Sequence, residues 1–206
     1  MVKIKICGIT NLKDAEDAVS FGADAIGFVF ADSPRRVAPE TAKPIIEALA
    51  GKALSVGVFV NESLDRVNEI AEYCGLDAVQ LHGSESDLYC AGVKNRQVIK
   101  AFRIKDELSL KPIPRYRNIF AYLLDTFSEE RYGGTGKTFD WNMALKVKAF
   151  GKPVILSGGL GMSNVKEAIK IVRPYAVDIS SSIEIMPGKK DRKLMKKTIA
   201  AVKKGL

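Results

Sequence analysis

Four ionisable side chains stand at or near the ends of β-like runs in this sequence. Cys7 closes KIKIC, His82 closes DAVQLH, Asp125 closes IFAYLLD, and Asp178 lies in AVDISS. A thiolate can take a proton and a carboxylic acid can give one, so these residue types suit a proton-transfer site. Each also has an ordinary use. A strand cysteine is commonly a small core hydrophobe, an aspartate before Thr126 can cap a loop, and a histidine before Gly83 can be a satisfied structural residue. Their shared position favours chemistry, because an ionisable group is costly to bury without a partner.

Other segments are suited to anions. LSGGL (Leu156 to Leu160) and DISSS (Asp178 to Ser182) each follow a β-like run. Glycines there let backbone N–H groups approach an anion, and serines add donors, so Gly158, Gly159, Ser180 and Ser181 are candidate phosphate ligands. Arg35 and Arg36, in DSPRRV, offer a guanidinium fork for a carboxylate, or form a solvated pair. YGGTGKTFDW resembles a P-loop, but Arg131 stands where the first required glycine belongs. It reads better as a loop over an active site, with Gly136 in it.

The elements that position these residues follow from periodicity. Eight β-like runs begin at Lys3, Ala25, Leu54, Asp77, Gln97, Ile119, Pro153 and Ala176, separated by helix-like runs. Clear helices are Ser63 to Cys74, stopped by Gly75, Asn164 to Val172 behind a Ser163 or Asn164 cap, and Trp141 to Phe150. Pro39 suits a first turn, while Pro44 is expected to kink or delay the helix after it. Over 206 residues the period is about 26 per unit, which points to an α/β chain folded as one lean (β/α)₈ TIM barrel, residues 1–206. An open doubly wound sheet is the structural alternative. Strand parity turns Ile4, Ile6, Val79, Leu81, Leu124, Val177 and Ile179 toward the helices. It turns Lys5, Cys7, Gln80, His82, Asp125, Asp178 and Ser180 inward, at the strand ends where barrel active sites are built. Lys5 and Lys100 are expected to fill the barrel interior with charge partners.

Composition narrows the function. Hydrophobic residues are 47% of the chain, enough for a core, and no apolar run reaches the roughly 18 residues of a membrane span. Three cysteines without a C-x-x-C motif and a single histidine argue against disulfides and against a zinc ribbon or multi-histidine metal site. The N-terminus lacks a secretory layout, so a cytoplasmic, metal-free protein is expected. Of the net charge of +8, the segment from Gly188 to Leu206 carries eight basic residues and one acid. Leu194, Thr198, Ile199 and Val202 make an apolar stripe there. The run therefore reads as the last barrel helix with a solvated lysine face, not as a nucleic-acid surface.

With these segments in order, the sequence resembles the phosphoribosylanthranilate isomerase family. The resemblance rests on KICGIT, GFVF, SPR, VGVFVN, QLHG, LLDT, GGTGKTFDW, LSGGL and DISSSIE, spread along nearly the whole chain. It implies a cofactor-independent isomerase of tryptophan biosynthesis that carries out the Amadori rearrangement of N-(5′-phosphoribosyl)anthranilate. By that resemblance Cys7 is the general base, Asp125 the general acid and Arg35 the partner of the anthranilate carboxylate. Gln80, His82, Gly136 and Asp178 line the substrate, and Gly158, Gly159, Ser180 and Ser181 hold the phosphate. The partner is a phosphorylated small molecule, with the chain a monomer or homodimer. A free thiol is only about 3% ionised at pH 7, so cations such as Lys5 or Arg35 are expected to raise that fraction. Aspartic acids ordinarily titrate near about 3.9, so a donor at pH 7 needs burial and substrate to hold its proton. Ser182 departs from the family's usual glycine, and strain follows if that position has φ > 0. A pentulose-phosphate epimerase barrel is the alternative enzyme, which the lone histidine disfavours.

Overall fold

Strand and helix periods alternate along this chain, and each period buries its apolar set. A computed structural model describes residues 1–127 and 138–204. Eight parallel strands close into a barrel in sequence order: β1 (Lys3–Cys7), β2 (Ala25–Val29), β3 (Leu54–Phe59), β4 (Ala78–Leu81), β5 (Gln97–Ile104), β6 (Ala121–Thr126), β7 (Val154–Leu156) and β8 (Ala176–Ile179). β8 returns to β1 with Lys5 opposite Asp178. The expected (β/α)₈ architecture is therefore the observed one.

Between strands run α1 (Leu12–Ser20), α2 (Pro39–Ala48), α3 (Leu64–Tyr73), α4 (Asp87–Ala91), α5 (Asn142–Lys148) and α6 (Val165–Val172), and α7 (Arg192–Lys203) follows a short hairpin. The Ser63 side chain caps α3 by accepting from the Arg66 N–H, as its position predicts. Asn164 stands at the start of α6 without capping it; its amide instead accepts from Gly161 N–H and donates to the Gly159 carbonyl. Pro44 does not delay α2, contrary to expectation: the helix starts at Pro39 and runs through Pro44 to Ala48. The carbonyl deprived of a partner belongs to Glu40, and both residues are exposed, so water can take the lost bond. The apolar stripe of α7 is buried through Thr198, Ile199 and Val202, joined by Met195. No helix of the described residues is long and apolar enough to cross a membrane.

Inside the barrel, Val56, Ala78, Ile99, Ala101, Ala121, Leu123, Ile155 and Ala176 form their own apolar cluster, apart from the larger one between strands and helices. This plug supports the polar residues at the strand ends. Lys100 corrects the reading of β5. Ile99 and Ala101 point inward, so Lys100 shares the outer face with Val98 and Phe102. It is buried under the loop after β4, 3.1 Å from Glu85, and donates to the carbonyls of Gly83, Leu81 and Ala101. Glu85 accepts in turn from the N–H groups of Asn61 and Gly83. The two chains thereby pin the backbone on both sides of His82.

Breaking this pair from one side leaves an uncompensated buried carboxylate. Lys100→Met is expected to lower stability by about 3 kcal/mol, with more than half recovered by adding Glu85→Gln. Urea unfolding checks it; a loss under ~1 kcal/mol would show the pair to be dispensable.

Candidate active site

A continuous polar floor crosses the barrel at the C-terminal ends of its strands. The Lys5 ammonium lies 2.8 Å from Oδ2 of Asp178 and donates to Oε1 of Gln80 at 2.9 Å. That leaves the Gln80 amide nitrogen to face Nδ1 of His82 at 2.9 Å. With Nδ1 accepting, a neutral His82 ring carries its proton on Nε2, which stands 3.2 Å from Oδ2 of Asp125. The other oxygen of Asp125 accepts the Thr126 N–H at 2.8 Å. Burial works against the Lys5 ammonium, but the Asp178 carboxylate overrides it and raises the lysine. Burial raises the Asp178 carboxyl, against the pull of Lys5.

Three polar atoms on this floor are buried and unpartnered among the described residues: His82 Nε2, Thr126 Oγ1 and Asp178 Oδ1. His82 Nε2 is near enough to Asp125 to attract it but is not aligned for a hydrogen bond. Buried donors and acceptors are normally satisfied, so three at one strand-end mouth point to a polar ligand.

Cys7 stands at the end of β1 in this mouth. Gly27 makes room for it: a Cβ there would lie 2.9 Å from the Cys7 Sγ and 3.0 Å from Lys5 Cε. Burial pushes the Cys7 thiol up, and the nearby Lys5 and Lys190 cations only partly oppose this. Lys5 favours the thiolate as expected, yet the thiol still lies above its ordinary value. Desolvation outweighs the cations, and Arg35 is not among them.

Arg35 lies over the turn that follows Cys7. A Cβ on Gly8, whose φ is +77, would come 2.6 Å from Arg35 Cδ. The guanidinium meets Glu184, with Nη2 2.7 Å from Oε2. Its sequence neighbour Arg36 is exposed, and its main chain bridges to Val29.

On the far side of the mouth, Gly158 and Gly159 hold φ of +82 and +62. A Cβ on Gly158 would strike Thr126 Oγ1 at 2.3 Å. The main-chain N–H groups of both glycines find no partner among the described residues. Ser180 donates to the Cys7 carbonyl at 3.1 Å, and Ser181 opens a 3₁₀ turn, Ser181–Ile183, beside the glycines' loop. Ser182 brings no strain: it is not among the residues with positive φ, its Oγ donates to the Leu160 carbonyl, and it packs opposite Gly161, which has no Cβ to clash.

The strand ends thus gather Cys7, Gln80, His82, Asp125 and Asp178, with Arg35, Gly158, Gly159, Ser180 and Ser181 on the following loops. Gly136 lies outside the described residues. Among the described residues, no cluster of three His, Cys, Asp or Glu side chains could hold a metal ion. Sequence reading missed Glu184 and Lys190 as site residues. The Pro187–Gly188 pair between them was a legible turn signal.

Comparison with known proteins bears on the family and the fold. A sequence model described as "N-(5'phosphoribosyl)anthranilate (PRA) isomerase" matches residues 4–201. An N-(5'-phosphoribosyl)anthranilate isomerase of Geobacter metallireducens is 52% identical over 204 residues, covering 98% of this chain and 100% of that protein. The crystal structure of phosphoribosyl anthranilate isomerase from Thermotoga maritima superposes with a TM-score of 0.93 at 45% identity, covering 100% of both chains. A structure of such an isomerase in complex with reduced 1-(o-carboxyphenylamino)-1-deoxyribulose 5-phosphate superposes at 0.90 with 43% identity, again over 100% of both chains.

The burial of Cys7 has a direct consequence. In the unliganded protein, alkylation of Cys7 by iodoacetamide should rise with pH through a midpoint above the ordinary thiol value of 9.0. Removing a cation disfavours the thiolate further, so Lys5→Met should move that midpoint higher still. Peptide mass mapping separates Cys7 from Cys74 and Cys90; a midpoint below 9.0 would contradict the dominance of burial.

Proposed function

The chain belongs to the N-(5'-phosphoribosyl)anthranilate isomerase family, and on that premise we propose that it rearranges N-(5′-phosphoribosyl)anthranilate to 1-(2-carboxyphenylamino)-1-deoxyribulose 5-phosphate. The observation that carries the reading is the buried polar mouth, in which a thiol and a carboxyl flank unpartnered donors and acceptors.

Asp125 gives its proton to the ribose ring oxygen as the bond from that oxygen to C1′ breaks. This leaves an open-chain iminium between C1′ and the anthranilate nitrogen. Cys7, as thiolate, removes the C2′ proton, and the electron pair moves into a C1′–C2′ double bond and neutralises the nitrogen. The resulting enolamine ketonises: its C2′ hydroxyl loses a proton and C1′ gains one. Return of the thiol proton to C1′, with capture of the hydroxyl proton by the Asp125 carboxylate, restores both groups. Atoms and charge balance without an external oxidant or reductant.

The remaining groups orient this chemistry. His82, fixed by Gln80 and through it by Lys5, faces the carboxyl of Asp125 at 3.2 Å on one side, while the Thr126 N–H holds that carboxyl from the other. Asp178 has one oxygen on Lys5, and its unpartnered oxygen suits a sugar hydroxyl. Arg35 takes the anthranilate carboxylate. The Gly158 and Gly159 N–H groups, with Ser180 and Ser181, take the phosphate. Gly136, which lies in sequence between β6 and α5, belongs to the substrate side by family resemblance. Cytoplasmic location follows from the same reading of an amino-acid biosynthetic isomerase.

The test is a fluorescence progress curve. Phosphoribosylanthranilate is made in the cuvette from anthranilate and phosphoribosyl pyrophosphate by the upstream transferase, and its loss is followed. The protein should accelerate that loss, with no effect of EDTA. Cys7→Ser and Asp125→Asn should each lower kcat by about 100-fold or more. Rates within about threefold of the unaltered protein would remove either residue from its role. Loss at the uncatalysed rate would remove the substrate.

A further inference from the structure

Arg35, assigned above to a substrate carboxylate, already faces a carboxylate of its own chain. Its Nε donates to both oxygens of Glu184 at 3.0 Å, and Nη2 donates to Oε2 at 2.7 Å. This engagement uses the Nε side of the guanidinium. Nη1 has no partner among the described residues, and the side chain is 15% exposed where Glu184 is 4% exposed. The fork therefore has its Nε–Nη2 edge occupied inside the protein and its Nη1 end unpartnered among the described residues.

Glu184 is held in place from below. Two short strands, β9 (Glu184–Met186) and β10 (Lys189–Lys190), form a hairpin after β8. They bring Lys190 2.7 Å from Oε1 of Glu184, with the lysine side chain fully buried. The same ammonium donates to the carbonyl of Cys7 at 2.5 Å and to that of Ser180 at 3.5 Å. The Gly188 N–H also donates to Glu184, at 3.4 Å, and Thr10 donates to the Gly188 carbonyl at 2.5 Å, which ties the hairpin tip to the loop after β1. Burial alone would raise the Glu184 carboxyl, but Arg35 and Lys190 together hold it below its ordinary value and keep it charged. A guanidinium stays charged in proteins, and Lys190, although burial pushes its ammonium down, shares the same carboxylate, which favours a second anion at the unpartnered end of Arg35.

We propose that Glu184 is a positioning residue that sets specificity for a carboxylate-bearing substrate. It turns Arg35 so that the Nη1 end meets the substrate carboxylate, and Lys190 anchors it against the main chain of Cys7. The inference rests on the assignment of Arg35 made above. Glu184 itself touches no substrate in this scheme; it acts through Arg35.

A double-mutant cycle on the full-length protein tests it, with Glu184→Gln, Arg35→Met and the pair assayed on phosphoribosylanthranilate. Glu184→Gln should raise KM about tenfold with kcat within about threefold. In the Arg35→Met background it should cost nothing further, within about twofold. Lys190→Met should show the same KM-selective loss. Losses that multiply in the double variant would show a general structural role and overturn the proposal. An unchanged KM, or a lower one as expected if Glu184 merely competes with substrate for Arg35, would also overturn it. Should Glu184→Gln fail to fold by circular dichroism, Glu184→Asp replaces it under the same criteria. It keeps the charge but is one methylene too short to hold both cations. Anthranilate titrated into the unliganded proteins, followed by its own fluorescence, separates the two levels of inference. Glu184-dependent anthranilate binding without turnover would sink the proposed reaction and keep the carboxylate site. Turnover with a Glu184-independent KM would sink the positioning role alone.

Discussion

Inside the barrel the Lys5 ammonium and the Asp178 carboxylate lie 2.8 Å apart on adjacent strands, with side chains 4% and 6% exposed. A buried ion pair is a poor source of stability, because desolving two charges offsets most of their attraction. An apolar pair of similar volume would fill the same space at less cost. What the pair supplies is order. Asp178 keeps Lys5 charged, and Lys5 spends another proton on Gln80. That bond fixes which way the Gln80 amide points, which in turn selects the tautomer of a neutral His82. Three strands away from its origin, one ion pair thus decides that an N–H, and not a lone pair, faces Asp125.

The same placement explains the apolar plug beneath it. Val56, Ile99, Leu123 and Ile155, with four alanines, fill the lower barrel without polar atoms. The polar layer is buried above this plug, and its electrostatic interactions are screened less than on a surface. That environment has two faces. It strengthens the hold of the floor on Asp125, and it also disfavours the Cys7 thiolate before substrate arrives. In the proposed reaction a thiol that is protonated at rest can still serve as the base, because the iminium formed on ring opening would place a cation near it.

Much of this was legible in the sequence, for reasons that differ by residue. The strands and the inward placement of Cys7, Gln80, His82, Asp125 and Asp178 follow from a period of two, which is local information. Lys100 escaped the same logic because both faces of β5 are apolar. Val98 and Phe102 pack outward, Ile99 and Ala101 inward, and in a parallel sheet buried on both sides alternation cannot say which face a lysine takes. Ser182 escaped because composition does not report φ. The pairing of Glu184 with Arg35 escaped because the two lie 149 residues apart, a relation only closure of the fold creates.

That last distance bears on how the site comes to exist. Lys5 meets Asp178 across 173 residues of chain, and Lys190 meets the Cys7 carbonyl across 183. β1 carries the thiol, but its charge partner, its hydroxyl neighbour Ser180 and its buried cation all arrive from the C-terminal end. Until β8 pairs with β1, Lys5 lacks its counter-ion and Arg35 lacks Glu184, so neither the polar floor nor the Arg35–Glu184 pair can form. Contacts of such long sequence separation are reached late, because the loop entropy they cost must be met first. The candidate site is therefore a product of barrel closure: the hydrogen bonds that seal the last strand and hairpin to the first also assemble it.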